Sequence, residues 1–283
     1  MSNAYQLIDF GEGRKLESLS GHLISRPSPA ALGHRRHQPK RWREADSVYH
    51  ADKKRWSHAA DWPAALSVDC GRFRMPVRPT PFGHIGLFPE QVENWAWLSA
   101  EPAAPTAQAL NLFAYTGAST MALASAGFEV VHLDAAKPNV SAAKMAAEFN
   151  ELSDATIRYM VDDAAKFAAR ERRRQRRYHT IVMDPPAYGH SPTGKTWRLE
   201  RDLWPLLDDC FELLEPAGFR ILITGHSPQV EAADVIGYLV RDKRLKRADQ
   251  AGRLRYRSGR STLRDEAGRS LDAGFYVRVE GRM

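Results

Sequence analysis

Short apolar runs alternate with segments of helical spacing along most of the chain. From about residue 109 onward, each run rich in Val, Ile, Leu and Phe ends in a polar residue or a turn, and a helical pattern follows it. This alternation is typical of βαβ units in a parallel sheet. We therefore predict an α/β fold with a doubly wound, mostly parallel sheet of seven strands, the last two of which close the sheet as a hairpin.

The same pattern places the individual elements. Gly117 lies in the short turn after the first strand, and Pro216 begins the turn before the fifth. The predicted strands span 109–113, 128–134, 156–160, 179–184, 219–224, 253–257 and 274–280. The predicted helices span 119–127, 137–150, a segment from 164 that carries a run of arginines, and 203–215.

The pattern changes before residue 80. Short polar and apolar alternations such as YQLIDF, RKLESLS and HLISR are interrupted by proline and glycine. Alternation with a period of two residues is typical of half-buried strands. We therefore divide the chain into a small β-rich N-terminal domain, 1–79, which contacts RNA if the chain binds it, and a larger domain, 80–283, that carries the seven-stranded sheet.

The composition is that of a globular protein with a sizeable core. The chain has 283 residues, of which 43% are hydrophobic and 27% are charged. No apolar run approaches the roughly 20 residues of a membrane-spanning helix, and the N-terminus lacks a signal sequence, so we expect a cytoplasmic protein with no membrane partner. Cys70 and Cys210 are the only cysteines and lack the spacing of a zinc site, so no metal is expected.

Basic residues dominate the charge. The formal net charge is +7, which favours an anionic partner such as nucleic acid. The basic residues concentrate in 33–56, 170–177 and 241–260. The first stretch interleaves Trp42, Tyr49 and Trp56 with Arg and Lys, a pattern suited to stacking on bases and contacting phosphates. The alternative is that these stretches are solvated surfaces, and arginines in the second also suit a helix C-terminus.

Acidic residues follow the second, third and fourth predicted strands, where ligands bind in a doubly wound sheet. The turn after the first strand contains neither GxGxxG nor GxxxxGK[ST], so the cofactor is expected to lack phosphates. Asp134 suits the two ribose hydroxyls, and Asp162 or Asp163 suits an adenine amino group, as in S-adenosylmethionine (SAM). The alternative is that these aspartates cap the helices that follow. The fourth strand ends in Asp184.

Four motifs, LNLFAYTG, HLDAAK, VDDAAKF and VMDPPAYG, occur in this order. With their spacing, they resemble the class I SAM-dependent methyltransferases, in particular the large-subunit ribosomal RNA methyltransferases that modify cytosine or guanine. The resemblance extends from about residue 81 to the C-terminus and implies a Rossmann-like fold, SAM as cofactor and ribosomal RNA as substrate. It implies cofactor contacts from Phe88, Gln91, Asn111, Phe113, Ala114, Tyr115, Thr116, Gly117, Asp134, Ala135, Asp162 and Asp163. Val92 stands where many members of the family have arginine.

The proline loop carries the predicted catalytic residues, Asp184, Pro185, Pro186 and Tyr188. The prolines stiffen the loop, so that Asp184 and the carbonyl of Pro185 offer fixed acceptors to a base, while Tyr188 offers a ring for stacking. Methylation at carbon 5 of cytosine normally requires a cysteine nucleophile, which follows the fifth strand in the cytosine-modifying relatives. Here that stretch reads TGHS, and Cys210 has the spacing of a core residue, so a nitrogen target is favoured.

Other assignments stay open at the level of sequence. His226 is either a base or a hydrogen-bonded structural residue. Lys195, Trp197 and Arg198 form either a flap that contacts substrate or an ordinary loop. The rival functions are a small-molecule methyltransferase, in which the N-terminal domain is a lid, and a non-catalytic module that binds SAM. A homo-oligomer is neither indicated nor excluded.

Overall fold

The computed structural model describes residues 4–100, 104–190 and 196–283. The chain forms two compact units. Unit 1 comprises residues 1–93 and 261–273, and unit 2 comprises residues 94–260 and 274–283. Unit 1 therefore includes residues beyond 79, and the domain boundary between residues 79 and 80 stays a prediction.

Unit 1 contains a five-stranded sheet in the order β1-β2-β3-β4-β5 and a two-stranded ribbon, β6-β7. Its strands are β1 (Tyr5–Gly11), β2 (Arg14–Leu19), β3 (His22–Pro27), β4 (Ser47–His50), β5 (Arg55–His58), β6 (Ser67–Asp69) and β7 (Arg74–Pro76). Neighbouring strands are antiparallel except β3 and β4, which are parallel. The prediction of a β-rich N-terminal part is confirmed.

A fully buried carboxylate lies within unit 1. Glu17 accepts hydrogen bonds from Arg26 Nε at 2.6 Å and from Tyr5 Oη at 2.9 Å, and Lys15 Nζ lies 3.0 Å from its Oε1. Burial by itself would raise the pKa of Glu17, but the adjacent Arg26 and Lys15 outweigh burial and lower the pKa to about 2. The sheet therefore depends on an ionised Glu17.

We expect Glu17→Gln to lower the free energy of unfolding by about 3 kcal/mol, because two buried cations lose their counter-charge. The pKa of Glu17 is lowered from 4.5, so its contribution to stability is complete above pH 4.5 and disappears as the pH falls towards 2. Denaturant unfolding at pH 7 and pH 3 measures both effects. The control is Glu12→Gln, which removes an exposed ion pair with Arg36 and should cost less than about 1 kcal/mol. Equal losses in the two variants would contradict the prediction.

Unit 2 carries the large sheet. The elements that follow β7 are α1 (Val92–Leu98), β8 (Gln108–Leu112), α2 (Ala118–Ser125), β9 (Glu129–Asp134), α3 (Lys137–Phe149), β10 (Ile157–Val161), α4 (Ala164–Arg173), β11 (Thr180–Met183), β12 (Tyr188–His190), β13 (Thr196–Arg198), α5 (Leu199–Glu212), β14 (Phe219–Gly225), α6 (Ala232–Leu239), α7 (Lys243–Gln250), β15 (Leu254–Arg264) and β16 (Ser270–Gly281). The order of the sheet is β10-β9-β8-β11-β14-β16-β15. The four pairs from β10 to β14 are parallel, and β14 and β16 are antiparallel. The prediction of a doubly wound, mostly parallel seven-stranded sheet is confirmed.

Helices cover this sheet with apolar side chains. The main core of unit 2 joins residues of α4 and α5 to the central strands, and Phe167 of α4 and Phe211 of α5 are among its largest side chains. Cys210 belongs to this core, as its spacing indicated. Among the residues that the structure describes, none of the helices has the length and apolar character needed to cross a lipid bilayer.

Candidate active site

The central strands of unit 2 end in register. Leu112 of β8 pairs with Leu133 of β9 and with Met183 of β11, and Met183 pairs with Ile223 of β14. Because these strands are parallel, the residues one position further along the chain emerge together at the carboxyl edge of the sheet. Those residues are Phe113, Asp134, Asp184 and Thr224. The register therefore brings two of the predicted functional carboxylates, Asp134 and Asp184, to one edge.

The turn after β8 has an unusual backbone. Phe113, Tyr115 and Gly117 have φ angles of 55°, 49° and 94°, in the left-handed region that side chains rarely adopt. Each non-glycine residue there costs about 1–3 kcal/mol and persists only where the surroundings fix it. Here Ala114 N donates to Leu133 O at 2.9 Å, and Tyr115 N donates to the carboxylate of Asp134 at 2.8 Å. The turn is therefore shaped by its bonds to β9.

Gly117 meets two requirements at once. Besides its positive φ, it lies where an added Cβ would be 2.9 Å from the Cβ of Ala143 in α3, closer than real Cβ atoms approach. Any side chain here would push the start of α2 away from α3. The single glycine of the LNLFAYTG motif is thus explained by backbone conformation and helix packing.

Asp134 is the centre of the hydrogen bonds at this edge. Its side chain is buried, and besides Tyr115 N it accepts from Ala136 N at 2.9 Å and from Asn139 Nδ2 at 3.0 Å. These donors hold the carboxylate in one orientation. Ala135 and Thr116 lie in the same two loops and are partly exposed.

A buried polar chain lies beneath the turn. Asn111 Nδ2 donates to Thr120 Oγ1 at 2.9 Å, and Thr120 Oγ1 lies 2.9 Å from Nδ1 of His132. Burial lowers the pKa of His132 to about 4, so the imidazole is neutral at pH 7. Asn111, a predicted cofactor residue, therefore belongs to the hydrogen-bonded chain beneath the turn, where its side chain binds Thr120 of α2.

Asp162 and Asp163 make different contacts after β10. Asp163 is the N-cap of α4 and accepts from Lys166 N at 3.0 Å, which is the capping role weighed above. Asp162 binds Arg170 Nη2 at 2.8 Å, and its backbone N–H donates to Asp134 O at 3.2 Å. The backbone of Asp162 is thus tied to Asp134, and a cofactor contact from either side chain stays a prediction.

The proline loop follows β11 directly. Asp184 is exposed, and one of its oxygens accepts from Thr224 Oγ1 of β14 at 2.6 Å. Pro185 is buried and Pro186 is exposed, and the carbonyl of Pro186 accepts from Trp197 Nε1 at 2.8 Å. The loop is thus fixed from two sides, by a neighbouring strand and by an indole.

A short antiparallel ribbon extends the proline loop. Tyr188 of β12 pairs with Arg198 of β13, and its side chain is 56% exposed. Trp197 of β13 packs against Phe113, with 4.8 Å between the ring centroids. Trp197 and Arg198, two of the three residues predicted to form a flap, therefore belong to this ribbon, and Lys195 lies outside the described residues.

Three predicted residues remain to be placed. Phe88 and Gln91 belong to unit 1, where Gln91 N donates to Phe88 O at 3.1 Å around a short 3-10 helix, and the Phe88 ring packs on His84. Their contact with a cofactor stays a prediction. His226 follows β14 and is exposed.

The chain is similar in sequence and in structure to known methyltransferases. A crystal structure of a SAM-dependent methyltransferase from Agrobacterium tumefaciens is 32% identical in sequence and superposes with a TM-score of 0.87, covering 98% of this chain and 90% of that one. The chain belongs to the SAM-dependent methyltransferases. No family model matches the sequence.

Curated relatives of this methyltransferase are longer. Ribosomal RNA large subunit methyltransferase I from Aeromonas salmonicida is 27% identical over 200 residues, which are 69% of this chain and 48% of that protein. Ribosomal RNA large subunit methyltransferase K/L from Methylococcus capsulatus is 32% identical over 118 residues, which are 41% of this chain and 16% of that protein. The chain thus spans about half or less of the length of these relatives.

Two residues of this candidate site were not predicted from the sequence. Asn139 binds the carboxylate of Asp134, and Thr224 binds the carboxylate of Asp184. Asn139 sits in the first turn of α3, where a polar residue is common. Thr224 carried a signal, since it ends the fifth predicted strand and parallel strands end at one edge.

Proposed function

We propose that this methyltransferase binds SAM at the carboxyl edge of its large sheet and transfers the methyl group to a nitrogen of a base in RNA, with ribosomal RNA as the substrate class. The observation that carries the proposal is the pair of fixed carboxylates, Asp134 and Asp184, at the tips of β9 and β11. Relatives named ribosomal RNA large subunit methyltransferases support the choice of RNA. An RNA substrate of this kind places the reaction in the cytoplasm.

The residues present fit SAM by their chemistry. Asp134 is an oriented acceptor suited to ribose hydroxyls. The turn at 113–117 contains a single glycine, which is too few for its backbone to cradle a pyrophosphate. Asp162 or Asp163 would accept from the adenine amino group. When bound, SAM supplies a methyl group that its sulfonium already activates.

The protein's own task is to position the target base. Asp184 and the carbonyl of Pro185 accept hydrogen bonds from N–H groups of the base, and the exposed ring of Tyr188 stacks on it. Thr224 fixes the side chain of Asp184, and Trp197 fixes the loop through the carbonyl of Pro186. A base held in this way presents a nitrogen lone pair to the methyl group without enzyme nucleophile.

The two cysteines favour nitrogen over carbon 5. A carbon target needs a thiolate that adds to the pyrimidine ring. Burial raises the pKa of Cys70 to about 12, and it raises the pKa of Cys210 further within the core of unit 2. Both residues are therefore thiols at pH 7 and are buried.

The test is methyl transfer from isotope-labelled SAM to unmodified ribosomal RNA, followed by mass spectrometry of the nucleosides. We expect one labelled nucleoside with the methyl group on a nitrogen. Label at carbon 5 of a pyrimidine would reject the nitrogen assignment, and SAM binding without label in RNA would favour the non-catalytic module. A small-molecule methyltransferase would show only weak RNA binding at low salt, whereas an RNA enzyme should bind RNA tightly there and lose roughly tenfold or more in affinity from low to physiological salt.

A further inference from the structure

The three basic stretches of the sequence differ in how far their charge is neutralised. In 170–177, three of the six arginines form ion pairs with carboxylates. Their ion pairs join Arg170 to Asp162, Arg172 to Asp209 and Arg174 to Glu171. In 33–56, the ion pairs join Arg36 to Glu12 and Arg41 to Glu44. Internal pairing therefore accounts for three of the six arginines in 170–177 and for two of the eight Lys and Arg residues in 33–56.

The third stretch, 241–260, contains nine Lys and Arg residues and two Asp residues. Three of its arginines have carboxylate partners, which are Asp242 for Arg244, Glu280 for Arg255 and Glu231 for Arg260. Within the part of the chain that the structure describes, six further basic side chains form no ion pair: Arg241, Lys243, Lys246, Arg247, Arg253 and Arg257. A surplus of positive charge therefore remains on this surface.

Helix α7 presents part of this charge on one face. Leu245 and Ala248 are buried, whereas Lys243, Lys246 and Arg247 are exposed. Positions three and four residues apart lie side by side on a helix, so the three cations form one row. The helix packs with its apolar side and leaves this row to solvent.

The outer strand β15 continues the charge. β15 is the last strand of the sheet, and Arg253, Arg255 and Arg257 are exposed. Residues two apart point to the same side of a strand, about 6.7 Å from one another, a spacing similar to that of successive phosphates along a nucleic acid strand. A tight turn at Gly252, with Arg253 N donating to Ala248 O at 2.9 Å, joins α7 to this strand.

We propose that α7 and β15 form a docking surface for phosphates of the RNA substrate, with Arg253 at the amino edge of the large sheet, opposite the edge that carries the proline loop. This inference rests on the proposed function and adds a binding site for the backbone of the substrate. Lysine and arginine that contact phosphates release the counterions of the RNA, which gives affinity without sequence preference. The surface would bind RNA phosphates at a distance from the target base, while the proline loop selects the base.

The test is the triple variant Lys246→Gln, Arg247→Gln and Arg257→Gln. Binding of a fluorescein-labelled ribosomal RNA fragment is measured by anisotropy at several salt concentrations in the presence of S-adenosylhomocysteine. Each phosphate contact contributes about 0.7 to 0.9 to the slope of log affinity against log salt, so the slope should fall by about 2 to 3. At physiological salt we expect roughly tenfold or more loss of affinity.

A second triple variant controls for net charge. Arg172→Gln, Arg173→Gln and Arg176→Gln remove the same number of positive charges from the exposed end of α4 and the residues after it. Because Arg172 already pairs with Asp209, this variant should retain nearly all of the RNA affinity. Equal losses in the two triple variants would mean that only net charge matters, and would overturn the docking surface.

Other outcomes separate this inference from the proposed function. If the wild type methylates RNA and the first triple variant binds RNA with wild-type affinity, the docking surface is overturned and the proposed function is not. A wild-type protein that neither binds nor methylates RNA rejects the proposed function itself. Calorimetry with SAM checks that each variant is folded. If the triple variant is unfolded, the single variants Lys246→Gln and Arg257→Gln are used, and each should lower the slope of log RNA affinity against log salt by about 0.7 to 0.9.

Discussion

Replacing Asp134 with alanine is expected to weaken SAM binding by about 10- to 100-fold. A hydrogen bond from a ribose hydroxyl to a carboxylate contributes about 1.5–3 kcal/mol, and Asp134, which already accepts three N–H groups, has room for about one. Since about 1.4 kcal/mol corresponds to a tenfold change, the loss of that bond gives about 10- to 100-fold. The variant also removes the acceptor of Tyr115 N, which holds a left-handed residue in the turn. Isothermal titration calorimetry with SAM measures the effect.

Two further variants make the Asp134 result specific. Asn139→Ala removes one donor to the same carboxylate at 3.0 Å and should weaken SAM binding by only about tenfold or less, since the charge remains. Asp154→Ala removes an exposed carboxylate after α3 and should leave the affinity unchanged. Thermal unfolding of each variant distinguishes loss of the site from loss of the fold. If a folded Asp134→Ala protein bound SAM with wild-type affinity, SAM would not bind at this edge of the sheet.

The sequence predicts the sheet well because its signals are local. Each βα unit is marked by a short apolar run, a polar end and a helical spacing, and no long-range information is needed to recognise them. Strands 128–134 and 219–224 are observed as Glu129–Asp134 and Phe219–Gly225, and helix 137–150 as Lys137–Phe149. Helix α5 begins at Leu199 and not at 203, because its first turn is polar on the side away from the core.

Some elements were not predicted because their sequences carry a weak or ambiguous apolar pattern. Helix α7 buries only Leu245 and Ala248 among many charges, so that it resembles a solvated basic run. Helix α6 contains the run DVIGYL, whose apolar residues suit a strand as well as a helix. The ribbon of β12 and β13 consists of three-residue strands, which are too short for a periodic signal.

Within the site, strand ends were predictable and the contacts between them were not. The order of strands puts Asp134 and Asp184 at the same edge, which is a property of parallel sheets. The hydrogen bonds of Asn139 to Asp134 and of Thr224 to Asp184 depend on the register of the folded chain. Sequence spacing alone does not set that register.

Replacing Asp184 with alanine is expected to leave SAM binding within about threefold of the wild type and to lower methyl transfer by about 1000-fold. The residue lies at the tip of β11, next to β8 and separate from the bonds that hold Asp134. Its proposed role is to hold the target base in line with the methyl group, and misplacement of a reacting group by about 1 Å already costs about 100-fold. Single-turnover transfer with saturating RNA separates this loss from weaker RNA binding.

The hydroxyl of Thr224 tests whether the orientation of Asp184 matters as well as its charge. Thr224→Val keeps the shape but removes the 2.6 Å hydrogen bond, so transfer should fall by about 10- to 100-fold. The matched control is Thr180→Val on β11, where a buried hydroxyl has no hydrogen-bond partner in the described part of the chain. That substitution exchanges an unsatisfied hydroxyl for a methyl group, and transfer should be unchanged. If both valine variants kept full activity, Asp184 would act through its charge alone, and the fixed geometry of the proline loop would not contribute to catalysis.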